Sequence, residues 1–167
     1  MMVMDVILIT GESGVGKSTF AKHLEEKDWQ IYEVVKSFTT RPQRDKEDTD
    51  HIFIPHSVGV RMFFFMPCVA RSVINNELYF TIEENFSITK TNLYITDKKG
   101  MEHLCTNYPD WNIGVVKIVS DEVDVSDGRK NRNITVPTDD ECDMIIKRVG
   151  NKYFEVIDGE ERFFYEF

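Results

Sequence analysis

Gly11-Glu12-Ser13-Gly14-Val15-Gly16-Lys17-Ser18 satisfies the spacing Gly-x-x-x-x-Gly-Lys-Ser/Thr at every fixed position, and Thr19 follows directly. Val3 to Thr10 before it (Val-Met-Asp-Val-Ile-Leu-Ile-Thr) is β-rich and nearly continuously apolar, as suits a parallel strand covered on both faces. Thr19 to Lys27 after it reads as a helix, with Phe20, Ala21 and Leu24 on one side and charged residues largely on the other. A strand, a glycine loop and a helix are what a phosphate-binding loop requires. Glycines let successive backbone N–H groups turn inward at the positive end of a helix and cradle phosphate oxygens. Lys17 is then expected to reach the β- and γ-phosphates, Ser18 to place its hydroxyl on Mg²⁺, and Thr19 to cap the helix or meet the α-phosphate. Gly11, Ser13, Gly14, Val15, Gly16, Lys17, Ser18 and Thr19 form the expected ATP-binding segment.

Apolar runs farther along continue an alternation of strands and helices, which points to an α/β fold around a parallel sheet. Ile31 to Val35, Asn92 to Thr96 and Ile113 to Val119 read as strands, Ile52 to Ile54 as a shorter one, and Lys98 to Asn107 as a helix. A second helix is expected over Asp139 to Lys152, because Thr138 followed by Asp139, Asp140 and Glu141 suits a capped, acidic first turn. Tyr153 to Ile157 reads as a last short strand, with the aromatic tail Phe163 to Phe167 docked. The expected organisation is one domain over 1–167, a core of 1–36, 92–125 and 138–167 with two insertions, 37–91 and 126–137.

The chain has 20 Lys+Arg against 29 Asp+Glu, a net charge of −9, which disfavours nucleic acid or an anionic membrane as a partner through overall charge. Cys68, Cys105 and Cys142 are odd in number and scattered, so neither a disulfide framework nor a zinc site is expected. With no basic flank before the first apolar run and no run of membrane-spanning length, a soluble cytoplasmic protein is expected.

Ser37-Phe38-Thr39-Thr40-Arg41-Pro42-Gln43-Arg44, then Glu47 and Asp50-His51-Ile52-Phe53-Ile54, resembles the acceptor-site pattern of the guanylate kinase family. The resemblance covers the first third of the chain closely and the remainder by pattern, and short members of this kind resemble those of bacteria and their phages. It implies a P-loop kinase three-layer fold with a central parallel sheet, in which 37–91 is the acceptor-binding insertion and 126–137 a short lid. It also implies that Arg41 and Arg44 clamp an acceptor phosphate, for which planar guanidinium groups are suited, and that Ser37 sits at the nucleobase. His51 stands where the family has a phosphate-contacting Tyr, and Asp48 replaces a Gly. Glu83 or Glu84 is expected to serve the base. Asp97 ends a strand followed by x-x-Gly and is expected to meet Mg²⁺ water or the base edge, or to cap the next helix. Arg129 and Arg132 in the lid and Arg148 on the expected helix resemble the family's arginines around the transferring phosphoryl group.

These readings imply an ATP- and Mg²⁺-dependent nucleoside monophosphate kinase with ATP and a (d)NMP as its partners. Two alternatives stand beside it. One is a kinase of the ribose bisphosphate phosphokinase kind, which Thr-Arg-Pro followed by Asp-His-Ile also resembles. The other is a non-catalytic guanylate-kinase-like binding module.

Overall fold

A computed structural model describes residues 3–122 and 134–167. The apolar run before the glycine loop forms β1 (Asp5–Thr10), an interior strand of a seven-stranded sheet. The loop opens α1 (Lys17–Lys27), which leads to β2 (Tyr32–Val34) at one edge. A second, four-stranded sheet follows, made of β3 (Ser37–Thr39), β4 (His51–Phe53), β5 (Cys68–Ile74) and β6 (Glu77–Ile82), with α2 (His56–Phe65) between β4 and β5. The chain then returns to the large sheet through β7 (Thr91–Ile95), α3 (Lys98–Asn107) and β8 (Asn112–Ser120), and closes with β9 (Met144–Val149), β10 (Lys152–Ile157) and β11 (Glu160–Glu166).

The order in the large sheet is β11-β10-β9-β8-β1-β7-β2, with β2, β7, β1, β8 and β9 parallel and β10 and β11 antiparallel. Alternation along each strand sorts side chains to two faces. Val6 and Leu8 of β1, Tyr94 and Val115 pack on one face with Met101 and Leu104 of α3 and with Val69 and Ala70 of β5. Ile9, Leu93, Ile118 and Ile146 pack on the other with Phe20 and Ala21 of α1 and with Tyr153. The three layers are thus α1, the sheet, and α3 with the second sheet. Ile118 and Ile146 are opposite each other in the β8–β9 register and fully buried. Ile118→Val is expected to cost about 0.5–1.5 kcal/mol, read by denaturant unfolding, because the surrounding side chains close only partly over a lost methylene.

The connection leaving β1 carries α1 to one face of the sheet, and that leaving β7 carries α3 to the other. A crevice therefore opens at the carboxyl ends of β1 and β7, the place where open parallel sheets bind ligands.

The expected helix over Asp139 to Lys152 is not formed. The capping pattern at Thr138 is real: its N–H and hydroxyl both meet Glu141 Oε2, at 2.8 and 3.0 Å. It closes a single 3₁₀ turn, Asp139–Glu141, after which Met144–Val149 is a strand. Met144-Ile145-Ile146 fills the buried register beside β8, a gain that a lone helix with no apolar partner face would forfeit. Arg148 therefore sits on β9.

Candidate active site

Gly11, Gly14 and Gly16 all take positive φ, and at two of them the space is also closed. A Cβ on Gly11 would fall on the carbonyl oxygen of Ile118, and one on Gly16 would fall on the Arg148 guanidinium. Gly16 is the N-cap of α1, with no side-chain cap and no acidic residue in the first turn. The first N–H groups of α1 are thus left for an anion from outside the helix. Lys17 Nζ donates to the carbonyls of Gly11 and Glu12 at 2.8 and 2.6 Å, so its charge lies along the loop. Arg148 reaches the loop from β9: Nε donates to Gly150 O at 2.9 Å and Nη1 approaches Val15 O at 3.5 Å.

The second sheet faces this loop with one side. Phe38 and Phe80 point to α2, where they join Phe63 and Leu78 in a separate apolar cluster. Ser37, His51, Tyr79 and Ser72 point the other way and, with the loop, line one cavity of about 670 Å³. Arg41 and Asp48 form a two-point ion pair at its edge, Nη1 to Oδ2 at 2.7 Å and Nη2 to Oδ1 at 3.2 Å. The Arg41 guanidinium also lies 5.0 Å over the Phe53 ring. Lys22 pairs with Asp50 across the cavity wall at 2.6 Å.

The Arg41 guanidinium beside Asp48 holds that carboxyl far below its usual 3.8, at about 2. With a depressed folded-state value, the pair's contribution to stability is present above pH 3.8 and is lost as the pH falls towards 2. Carbon-detected NMR is expected to show Asp48 titrating near 2 and to return it towards 3.8 in Arg41→Met. Burial pushes His51 below its ordinary value, and Arg41 adds to this, so the ring is neutral at pH 7. Its Nδ1 is buried with no hydrogen-bond partner among the described residues.

No family model matches the chain, and no curated protein matches it. Solved structures do, among them a guanylate kinase from Anaplasma phagocytophilum with a TM-score of 0.52 and 17% identity, over 73% of this chain and 63% of that one. The fold is P-loop-kinase-like. At that identity the likeness concerns fold alone, and the match takes in less than two thirds of the neighbour's length.

Within this P-loop-kinase-like fold, most of the sequence-predicted residues converge. Gly11, Ser13, Gly14, Gly16, Lys17, Ser18, Thr19, Ser37, Arg41, Arg44, His51 and Asp97 all line the one cavity. Val15 is turned inward, packing against Phe20 and Ile118. Asp97 caps α3, its Oδ1 accepting from Gly100 N at 2.9 Å, while the residue also lines the cavity. Glu83 and Glu84 are exposed on a short 3₁₀ turn and do not line it. Glu83 bears instead on Tyr108 at the far end of α3. Arg129 and Arg132 lie outside the described residues.

Several lining residues escaped the sequence reading, above all Lys22, Asp50, Ser72 and Tyr79. A signal existed for two of them. Lys22 is four residues after Ser18 and so shares its helix face. Tyr79 alternates with the buried Leu78 and Phe80, which turns it to the opposite face of β6.

Proposed function

We propose that the chain is an ATP-dependent nucleoside monophosphate kinase of guanylate kinase type, transferring the γ-phosphoryl group to (d)GMP or a related (d)NMP. The observation that carries this reading is that the phosphate loop and the Arg41–Arg44 segment open onto the same cavity. Two anion-binding elements facing each other are what direct transfer between two phosphorylated molecules needs, since catalysis is then mostly positioning and charge neutralisation.

The roles follow from the groups present. The α1 amides and Lys17 hold the donor's terminal phosphates. Arg148, over the loop, is set to meet charge that develops on the transferring group. Arg41 and Arg44 hold the acceptor phosphate, with His51 giving a neutral ring donor. No side-chain base is required, because the acceptor phosphate oxygen is already anionic. Ser18 and Asp97 both bring hard oxygen ligands to the cavity and fit Mg²⁺, which would be held largely by phosphate and water. When bound with ATP it would offset the charge of the phosphate oxygens.

The test is ADP release over GMP, dGMP, AMP, CMP, UMP and dTMP, with ribose 1,5-bisphosphate alongside. Turnover on a nucleoside monophosphate supports the reading; turnover on the sugar phosphate alone replaces it. That second reading has one observation in its favour: Glu83 and Glu84, the carboxylates expected at the base, stand away from the cavity.

A further inference from the structure

We propose that Asp48 is a specificity-determining residue of the acceptor site: its carboxylate occupies the Arg41 fork that an incoming phosphate needs, so acceptor binding exchanges one anion for another. Asp48 has this role only if Arg41 meets the acceptor phosphate, the reading proposed above.

A carboxylate and a phosphate grip guanidinium by the same two-point chemistry, and so compete for it. Asp48 engages both terminal nitrogens of Arg41, and the two side chains are 10% and 13% exposed. Arg41 Nη1 also donates to Pro42 O at 3.0 Å. Among the described residues Nε of Arg41 has no hydrogen-bond partner, and it is buried. The N–H groups that Asp48 and Pro42 leave over, Nε and the second on Nη2, form a side-on fork whose Nε is buried, so from the cavity a two-point grip on phosphate falls to the terminal fork that Asp48 holds.

Asp48 is also fixed in place. Its backbone N–H donates to Asp45 Oδ1 at 3.0 Å, its carbonyl accepts from Gln43 Nε2 at 3.0 Å, and its Oδ2 accepts from Arg44 N at 3.1 Å. The whole turn is closed around this carboxylate, so the pair is a property of the loop rather than of one free rotamer. Two residues on, Asp50 is paired with Lys22 of α1. The acceptor side is thus partly neutralised before any ligand arrives. A phosphate alone gains little there, and an acceptor must add contacts at the Ser37, Ser72 and Tyr79 end to bind well.

The test compares wild type with Asp48→Asn and Asp48→Ser by isothermal titration calorimetry at fixed ionic strength. The probes are GMP, dGMP, dTMP and inorganic phosphate, with guanosine and thymidine as unphosphorylated partners. Both variants are expected to bind phosphorylated probes about tenfold or more tightly, the size of one charge-assisted hydrogen bond, with nucleoside binding unchanged. Serine keeps an oxygen for the Arg44 N–H, so it tests the idea if asparagine does not fold. Phosphate is also expected to raise the melting temperature more in the variants than in wild type, since it replaces the lost partner of Arg41. Equal or weaker binding in both variants, in a protein that turns over a phosphorylated acceptor, makes Asp48 a support for Arg41 and overturns the inference alone. If ATP binds but no phosphorylated probe binds wild type or variants, the acceptor reading falls and the inference with it.

Discussion

Lys17→Ala is expected to lower phosphoryl transfer by about 10²–10³-fold or more, the usual loss when one preorganised donor to a developing charge is removed. In the free protein the ammonium rests on two carbonyls of its own loop, at 2.8 and 2.6 Å. Those contacts keep a flexible, strongly hydrated charge beside the helix N-terminus, so little reorganisation is needed when phosphates arrive. Alanine leaves the amides of α1 in place and is itself a good helix former, so the fold should persist. Melting temperature separates the two effects. An unchanged melting temperature with the rate lost fits the donor role, whereas wild-type turnover means that this loop does not hold the donor.

The core of the fold was legible because its signals are local and redundant. β1, β7 and β8 carry apolar runs that bury Leu8, Leu93, Val115 and Ile118, and the Lys98 to Asn107 helix is set by its Asp97 cap and its apolar stripe. Over residues 139–152 the expected helix fails for a physical reason. A Thr-x-x-Glu box satisfies the first N–H groups of any helical turn, whether or not the helix goes on. Here the acidic residues find cations instead: Asp139 meets Lys117 at 2.7 Å and Glu141 meets Lys98 at 2.8 Å. Both residues thereby tie the turn to the carboxyl ends of the sheet rather than serving a helix dipole.

Two hairpins were readable but missed. Asn75-Asn76 and Asp158-Gly159 are two-residue turns in which both residues take positive φ, conformations that Asn, Asp and Gly accept at least cost. Asp158-Gly159 makes Glu160–Glu166 a strand antiparallel to Lys152–Ile157. The site was legible in its types of residue but not in their pairings. Nothing in the spacing of Arg41 and Asp48, seven positions apart, says that the loop between them will fold back to join them, since that depends on the turn at Asp45. Glu83 shows the converse: a carboxylate of the right kind in the right stretch was carried by β6 and its following turn to the other end of the sheet.

Arg148→Ala is expected to cut kcat by at least about 10²-fold, towards the 10³–10⁵ that arginines at the transferring phosphoryl group are worth, with a much smaller change in the KM for ATP. The strand position makes this sharper than a helix position would. β9 is held in register by β8 on one side and β10 on the other, so the side chain starts from a rigid backbone and crosses to the loop. Its contact with Gly16 gives an independent way to disturb it. Gly16→Ala puts a methyl group where the guanidinium lies, at a backbone φ of +98° that costs about 1–3 kcal/mol for other residues. The rate loss of Gly16→Ala should therefore come partly through Arg148, and the double variant should lose less than the product of the two single losses. Full additivity would mean that Gly16 acts on the loop amides alone and that Arg148 works from some other position. Arg148→Lys sharpens the same point: a lysine keeps the charge but not the planar fork, so partial recovery assigns the effect to charge, and none assigns it to the geometry of the guanidinium.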